Sequence, residues 1–435
     1  MATSLSACCI LLSKEMGDFW SSATTGNGAA GGTTIVDTAL LAKPADWVPA
    51  DAYDLITETG HARLDEERQV SSLSSSTLTV LAHGGQIGTG VDYEIHRLFT
   101  ASEKRRALLH AAKSEFPSIF KHIRDTSLSV GNWLRNGDME IWGQAGNPDN
   151  WTAVTLTAAK NTTGPYYKRG ATSCKLSGAA GSLRQGSADV GELILLAGKG
   201  VTFTAEVWSD TASCSRLRIY DGTTTTNSDY HAGGSKFEKL TVTATIADSP
   251  SEITVRVMRD VGTGIDYVDD ARVFGPIRDK LYIGDLGLAQ NYPHIIEQSP
   301  DGLIQDEPWE ILRDWEISGD GFLYLPYGSQ NYQLRVRGMG YLDFLVSGAS
   351  SEDWAATIAI DSPQTEILIA AAIIYLYRQK LQPGTGTAAV SGRYAGALAF
   401  WDHELAIRRA RCGMTPPPAT VNWGVPPKRS WYWYE

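Results

Sequence analysis

Apolar residues recur with two different periods along the first 117 residues. From Gly31 to Ile95, short alternating stretches such as "TTIVDTAL" and "STLTVLA" are separated by turns rich in Gly, Pro and Asp, which is typical of a small β-sheet or barrel. The following stretch has a helical period, in which Thr100 and Glu103 have the spacing of a capping box and the run ends at Pro117. The pattern therefore predicts a helix over about 101–116.

The first twenty residues predict another helix. Its apolar side chains fall at spacings of four and three, which places them on one stripe: Leu5, Cys9, Leu12, Met16 and Phe19. The segment does not fit a signal peptide, because no basic residues precede the apolar run and Lys14 and Glu15 interrupt it. We expect the helix to pack on its own domain, with docking on a neighbouring subunit as the alternative.

The segment from 131 to 275 alternates almost throughout as β-strands do. Turns of Gly, Asn and Ser separate the predicted strands "AVTLTA", "VTFTAEVWS", "SRLRIYDG", "KLTVTATIA", "EITVRVMRD" and "IDYVDDARVFG". Strands of this length at this spacing predict an all-β sandwich or jelly roll.

After Pro276 the pattern returns to mixed strands and helices. "GFLYLPYG" and "NYQLRVRGMGYLDFL" predict strands. A helix is expected to start with Ser362 as its N-cap and Pro363 in its first turn, and to continue to at least Tyr377. A second helix is predicted from about Tyr394 to Gly413.

The order of these elements indicates that the β-sandwich interrupts another domain. Residues 1–130 and residues 276–413 both combine predicted strands with helices, and neither segment has much apolar core alone. We therefore expect them to form one α+β domain, a small β-sheet or barrel with helices, around an inserted domain at 131–275. Residues 414–435 are rich in Pro and aromatic residues and predict an extended arm, held by a neighbouring subunit or by its own chain.

Composition and charge narrow the function classes. At 435 residues the chain exceeds one ordinary core, so two or three domains are expected. The formal net charge of −11 argues against a surface whose main role is to grip phosphates. The five cysteines, an odd number without a CxxC spacing, indicate neither a zinc site nor a disulfide framework. The longest apolar run, "ILIAAAIIYLY", is too short to cross a bilayer.

The middle segment resembles carbohydrate-binding modules of the family 4/9/22 type. The motifs that carry the resemblance are "NWLRNGDMEIW", the tryptophan of "PDNWTAV", "GKGVTFTAEVWSD", "LRIYDG" and "IDYVDDARVF". The resemblance implies a jelly roll that stacks sugar rings on exposed aromatic side chains. The candidates are Trp142, Tyr167, Tyr220 and Tyr230. Packing in the core or across strands is the alternative role of such residues.

The same resemblance implies a structural calcium ion between an opening strand and the closing "DD". Asp138, Glu140 and Asp270 match the family's ligand positions. Carboxylate oxygens brought together from two strands suit calcium chemically. The residues alone equally allow carboxylates that are hydrogen-bonded to turn amides without a metal.

The segments on either side resemble structural proteins of tailed bacteriophages. They are similar in style and order to neck proteins, the adaptors or connectors that form a ring beneath the portal, in the stretches "LLSKEMGDFW", "GGTTIVDTAL", "YEIHRLFTASEKRRALLHAAKSEFP", "PWEILRDWEISG", "LRVRGMGYLDFL" and "TEILIAAAIIYLYRQKL".

The neck resemblance implies a virion protein that is assembled in the host cytoplasm. It would form a closed ring, roughly twelvefold, that joins the portal and head to the tail. Its partners would be other copies of itself, the portal and other neck or tail proteins, and the sandwich would project outward, where it could hold polysaccharide. DNA would pass through the channel without specific binding, which the negative net charge favours.

Two other functions are alternatives to a neck ring. A tail fibre or another receptor-binding virion protein would be expected to show internal repeats, and none is visible. A glycoside hydrolase needs two carboxylates across a sugar subsite, and the split flanking segments leave little room for the barrel or cleft that usually holds them. The sequence also lacks GxSxG, HExxH and P-loop motifs. We therefore expect a protein that is not an enzyme.

Overall fold

A computed structural model describes most of the chain. The described ranges are 3–49, 52–143, 146–276, 278, 280–291, 293–300, 309–325, 332–346, 349–381 and 388–416. Most of the predicted arm, from 417 to 435, lies outside these ranges. Two compact units are present: unit 1 comprises Met1–Lys121 and Tyr341–Thr415, and unit 2 contains His122–Gly340.

The helices and strands follow in chain order. The helices are α1 (Leu5–Glu15), α2 (Ala101–Ser114), α3 (Thr365–Lys380) and α4 (Ala388–Cys412). Short 3-10 helices span Thr38–Ala42, Ala45–Trp47, Gly191–Leu196 and Ala289–Asn291. The strands before the sandwich are β1 (Thr3–Ser4), β2 (Trp20–Ala23), β3 (Thr34–Val36), β4 (Tyr53–Ile56), β5 (Glu67–Ser74), β6 (Thr77–Val80), β7 (Asp92–His96) and β8 (Lys121–Asp125).

The remaining strands fall into two groups. Those of the sandwich are β9 (Thr152–Asn161), β10 (Ser173–Gly186), β11 (Gly200–Ser209), β12 (Ser215–Tyr220), β13 (Thr225–Asn227), β14 (Lys236–Thr245), β15 (Thr254–Arg259) and β16 (Asp266–Phe274). Those that follow are β17 (Lys280–Tyr282), β18 (Pro293–Pro300), β19 (Glu310–Ile311), β20 (Glu316–Ile317), β21 (Phe322–Tyr324), β22 (Tyr332–Gly340), β23 (Leu345–Val346), β24 (Ala349–Ser350) and β25 (Thr357–Ile358).

Unit 1 combines a helical core with a separate sheet. Helix α3 is buried along most of its length, and α1, α2 and α4 pack against it. A helix that is apolar all round needs this kind of cover on every side. Strands β2 to β7 form a six-stranded sheet in the order β2-β7-β4-β5-β6-β3, with its own apolar core. The core around α3 contains residues from both segments of the chain, so the two segments fold together.

The predicted elements of unit 1 are largely confirmed. Helix α2 has the complete capping box of Thr100 and Glu103. Helix α1 packs into the core of its own unit, although Met16 caps its end and Phe19 lies beyond it. The small sheet is present, but the second half of "TTIVDTAL" forms the 3-10 helix Thr38–Ala42 rather than strand, because the side chain of Asp37 caps that helix by accepting from Ala39 N.

The starts of the two last helices were predicted wrongly. Ser362 is not the N-cap of α3, because the helix begins at Thr365 with Gln364 as its N-cap. The turn before it is closed by a hydrogen bond from Thr365 N to the carbonyl of Asp361. Helix α4 begins at Ala388, six residues before the predicted start.

The predicted β-sandwich forms the larger part of unit 2. The eight strands form one continuous sheet in the order β13-β12-β15-β10-β16-β11-β14, in which the first half of β10 pairs with β16, its second half pairs with β15, and β9 pairs with both halves. We call the part of this sheet made by β10, β16, β11 and β14 the β11 sheet, and the part made by β10, β15, β12 and β13 the β12 sheet. Alternate residues of both sheets point inward and form one apolar core.

Unit 2 extends beyond the sandwich on both sides. Strands β8, β18, β19 and β22 form one small sheet and β17, β20 and β21 another, with a shared apolar core. The predicted boundaries at 131 and 275 therefore fall inside this unit. No helix within the described ranges is long and apolar enough to cross a membrane.

Candidate functional site: an aromatic face of the β-sandwich

The opening stretch of the sandwich is a series of turns rather than the expected strand. No described residue from 131 to 143 belongs to a strand, and Asn136 and Met139 have positive φ angles of 49° and 55°. The stretch nevertheless lies beside the closing strand β16, since Ala271 N donates to the carbonyl of Gly137 over 2.7 Å. A Cβ at Gly137 would lie 2.1 Å from the carbonyl oxygen of Ala271, so only glycine allows this approach.

The three carboxylates proposed as calcium ligands have protein partners. Glu140 Oε1 accepts from the backbone N–H of Ala171 and Thr172 over 2.8 and 2.9 Å. Asp138 Oδ2 accepts from the side chain of Gln333 over 2.9 Å. Burial raises the pKa of Asp138 to about 6.

The third carboxylate, Asp270, is paired with arginine. Its Oδ1 lies 3.2 Å from Arg169 Nη1 and 2.8 Å from Arg272 Nε. Asp138 and Asp270 line one cavity of about 20 Å3 together with both arginines, and Glu140 is not part of its lining.

These contacts do not fit the donor set of a calcium site. Guanidinium groups beside Asp270 take the position that a cation would need, and calcium requires six to eight oxygen ligands. Within the described ranges no three His, Cys, Asp or Glu side chains are grouped to hold a metal. Of the three carboxylates, Glu140 accepts from backbone N–H groups as the metal-free alternative expects, and the calcium ion stays a prediction.

The four predicted sugar-binding aromatics do not converge on one site. Trp142 is half-buried against the sandwich core and donates from Nε1 to the carbonyl of Met139. Tyr167 is half-buried in the loop between β9 and β10. Tyr220 and Tyr230 lie at the outer face of the β12 sheet, where arginine side chains cover their rings.

A different set of aromatic rings gathers on the outer face of the β11 sheet. Trp208 on β11 is directly opposite Tyr267 on β16 and Phe237 on β14. The ring centroids of Trp208 and Tyr267 are 5.3 Å apart. Tyr166, from the loop between β9 and β10, stacks on Tyr267 at 4.5 Å and meets Trp208 edge-on at 5.0 Å. We call Tyr166, Trp208, Phe237 and Tyr267 the aromatic face.

The loop that carries Tyr166 is held by a buried carboxylate. Asp269 Oδ2 accepts from the backbone N–H of Lys168 and Arg169 over 2.6 and 2.7 Å. Burial raises the pKa of Asp269 to about 7, although these hydrogen bonds oppose the shift. The Tyr166 carbonyl also accepts from the hydroxyl of Ser173. The loop is therefore anchored at Tyr166 itself and at Lys168 and Arg169, which follow it.

Polar side chains continue the same face. In the row beside the aromatic rings, Glu206 on β11 lies opposite Lys239 on β14 and Asp269 on β16. The next row places Thr204 opposite Thr241 and Arg272. Rings that stack on a pyranose, beside groups that hydrogen-bond its hydroxyls, are the chemistry of a sugar-binding surface.

Part of this face could have been found in the sequence. In "VTFTAEVWSD" the residues Val201, Phe203, Ala205 and Val207 alternate with polar ones, so Trp208 is out of step with the core and must point outward. Tyr166 gives no such signal, because its position depends on a loop contact to a carboxylate a hundred residues later.

Comparisons with known proteins find likeness among solved structures alone. No protein-family profile matches the chain, and no curated protein matches it. The carbohydrate-binding module TmCBM61, solved with β-1,4-galactotriose, is 15% identical over 33% of this chain and 99% of its own, with a TM-score of 0.26. The CBM22-1 xylan-binding domain of Xyn10C from Paenibacillus barcinonensis is 10% identical over 35% of this chain and 96% of its own, also with a TM-score of 0.26.

A phage protein is also similar to part of the chain. The enzymatically active domain of tailspike protein 4 from bacteriophage CBA120 is 14% identical, with a TM-score of 0.25. The match covers 34% of this chain and 22% of the tailspike chain, so this protein spans about a fifth of the tailspike's length.

Proposed function

We propose that the protein binds polysaccharide through the aromatic face of the β11 sheet and acts by binding rather than by catalysis. The observation that carries this proposal is the packing of Tyr166, Trp208 and Tyr267 on one outer sheet surface, with centroids 4.5 to 5.3 Å apart. Tyr267 is 7% exposed, with Tyr166 stacked on it. The half-buried rings of Tyr166 and Trp208, ordered by the loop anchored on Asp269, therefore form the preformed platform for a sugar ring.

A single platform of this size is expected to bind a sugar weakly. Aromatic stacking contributes about 0.5–1.5 kcal/mol per contact beyond area burial. With Glu206 and Lys239 supplying hydrogen bonds, one site is expected to bind in the high micromolar range or weaker. Several copies on one particle would raise the apparent affinity through avidity.

Removal of Trp208 tests the site directly. On a glycan array displayed at high density, we expect Trp208→Ala in the full chain to weaken binding at least about tenfold relative to the native protein. Thr245→Ala is the matched control, since Thr245 is exposed at the far end of the same face, and its binding should be unchanged. Silence of the native protein on every array, or equal binding by both variants, would show that the aromatic face is not the site.

We further propose that the protein is a virion component of a tailed bacteriophage that forms a neck ring, with the portal and other neck or tail proteins as neighbours. The supporting observation is that unit 1 exposes apolar side chains which a subunit interface would cover: Leu11 is 42%, Leu41 60% and Phe400 56% exposed. A tail fibre or receptor-binding protein is the alternative.

The oligomeric state separates these two candidates. Native mass spectrometry of the full chain is expected to show a closed ring of roughly twelve copies, as cyclic assemblies of this class would require. Phe400→Ser and Leu11→Ser should shift the distribution toward smaller species. A trimer would favour the tail fibre, and a monomer at every concentration would rule out the ring.

A further inference from the structure

Three arginines form one cross-strand row on the outer face of the β12 sheet. Arg256 on β15 lies directly opposite Arg218 on β12 and, on its other side, directly opposite Arg184 on β10. Their sequence neighbours Leu183, Leu217 and Val257 are buried in the sandwich core. The arginines therefore point away from the core. We call these three residues the arginine row.

Among the described residues no carboxylate forms an ion pair with the arginine row, whereas neighbouring arginines have such partners. Arg216, on the same face, pairs with Asp260 over 2.7 Å. Arg259, inside the sandwich, pairs with Asp266 over 2.9 Å.

Within the described part of the chain, the guanidinium groups of Arg184 and Arg256 form no hydrogen bond or ion pair, and the Nε of each is buried without a partner. Arg218 donates from Nε to the amide oxygen of Asn227 over 2.8 Å, which leaves its charge uncompensated. Glu252 acts on Arg256 electrostatically, while its Oε2 accepts from the hydroxyl of Thr254 over 3.4 Å.

Such a row costs stability when nothing is bound. Like charges directly opposite one another on neighbouring strands repel. Burial, followed by the charges of Arg184 and then of Arg218, lowers the pKa of Arg256. Adjacent strands are about 5 Å apart, so the three guanidinium groups span about 10 Å across the sheet. A ligand with several negative groups along its length would relieve this repulsion.

The surroundings of the row favour an acidic polysaccharide over nucleic acid. Tyr220 lies in the next row, with its ring 5.5 Å from the Arg256 guanidinium. Tyr230 is 39% exposed beside Arg216. Because a guanidinium group lies over each ring, a bound sugar would meet paired arginine and tyrosine side chains, and the arginines would bind its acidic group in a two-pronged fashion.

We propose that the arginine row, with Tyr220, is a second carbohydrate site that binds a polysaccharide bearing carboxylate or sulfate groups. This site is on the sheet opposite the aromatic face and does not depend on it. The two acidic groups share the geometry that a guanidinium fork recognises, so the choice between them is left to the experiment.

Binding to paired polymers tests the proposal on the full chain. Polygalacturonate and dextran sulfate are titrated in moderate salt beside methyl-esterified polygalacturonate and plain dextran, which have the same backbones without the charges. We expect binding of at least one acidic polymer and loss of binding when its charges are absent. Binding of only one acidic polymer would assign the row to carboxylate or to sulfate.

Substitution then assigns the binding to the row. Arg256→Gln should weaken binding of the acidic polymer at least about tenfold, as expected for the loss of a charge-assisted contact. Arg106→Gln makes the same change of charge at an exposed position of α2 and should leave the affinity unchanged. If Arg256→Gln does not fold, Arg184→Gln serves in its place. Bound polymer should raise the unfolding temperature of the native chain more than that of the variant.

Several results would overturn the second site. Equal affinity for charged and uncharged polymers, equal losses in Arg256→Gln and Arg106→Gln, or tighter binding of duplex DNA than of either acidic polymer would each contradict it. Trp208→Ala should leave binding of the acidic polymer intact. Failure of the native chain to bind neutral glycans would therefore count against the aromatic face alone.

Discussion

Charged side chains in the interior of unit 1 satisfy one another. Lys104 on α2 is fully buried, and its Nζ lies 2.8 Å from Asp18 Oδ2 and 2.9 Å from both Ser13 Oγ and His96 Nδ1. Burial and the charge of Lys104 lower the pKa of His96, so the ring stays neutral and Nδ1 accepts from the ammonium group. Asp18 also accepts from the backbone N–H of Leu98 over 2.8 Å. This network joins α1, α2 and the end of the sheet.

Breaking this pair from one side is expected to be costly. Lys104→Met leaves the Asp18 carboxylate buried without a cation, and we expect the free energy of unfolding of unit 1 to fall by about 3–5 kcal/mol. The double variant Asp18→Asn/Lys104→Met should lose less, because no unpaired charge remains. Arg378→Met is the control: its pair with Asp402 is 65% and 47% exposed, and its loss should cost less than about 1 kcal/mol. Denaturant unfolding measures all three, and equal costs for Lys104→Met and Arg378→Met would contradict the argument.

At the scale of elements, the sequence predicts those whose signals are local. Helix α2 was predicted from Thr100, Glu103 and its apolar period, all of which lie within the helix and its cap. The sandwich strands with strict alternation were found in the same way. Strand β10, "SCKLSGAAGSLRQG", was missed although it belongs to both sheets.

The reason that β10 escapes prediction is its environment. A Cβ at Gly181 would lie 2.2 Å from the carbonyl oxygen of Val154, so a glycine is needed where β9 crosses closely. The register of the two strands shifts between Gly178 and Ser182. These features weaken the alternation that marks a strand, and they follow from pairing partners that are distant in sequence.

The same limit applies to the candidate sites. Exposed tyrosines and a tryptophan were recognised as sugar-binding types, but which of them share a face depends on strand register. Trp208 meets Tyr267 only because β11 pairs with β16, and Arg184 meets Arg256 only because β10 pairs with β15. The sequence therefore identifies side chains of the right chemistry, but it does not show which of them lie on the same face.

At the scale of the whole molecule, the sandwich of unit 2 depends on chain beyond residue 275. Arg278, which is buried, donates from Nη2 to the carbonyl of Asn132 over 2.6 Å. Its Nη1 lies 3.4 Å from Glu192, and Glu192 Oε1 accepts from the backbone N–H of Tyr282 over 2.8 Å. Burial lowers the pKa of Arg278 to about 10, so it is still charged at neutral pH. These contacts tie the 3-10 helix Gly191–Leu196 and the turns before β9 to the strands that follow β16.

Two fragments of unit 2 are expected to differ in stability. A fragment of 131–275 loses the contacts of Arg278 and Tyr282, so its free energy of unfolding should be lower than that of 122–340 by at least about 2 kcal/mol, the contribution of one or two hydrogen bonds to charged groups. Arg278→Met within 122–340 should reproduce much of that loss, because it leaves Glu192, which is 6% exposed, with Arg135 at 3.6 Å as its remaining cation. Denaturant unfolding of the three proteins provides the comparison. An equal free energy of unfolding for 131–275 and 122–340 would mean that the sandwich is complete without the strands beyond it, and that the buried arginine holds those strands without stabilising the sandwich.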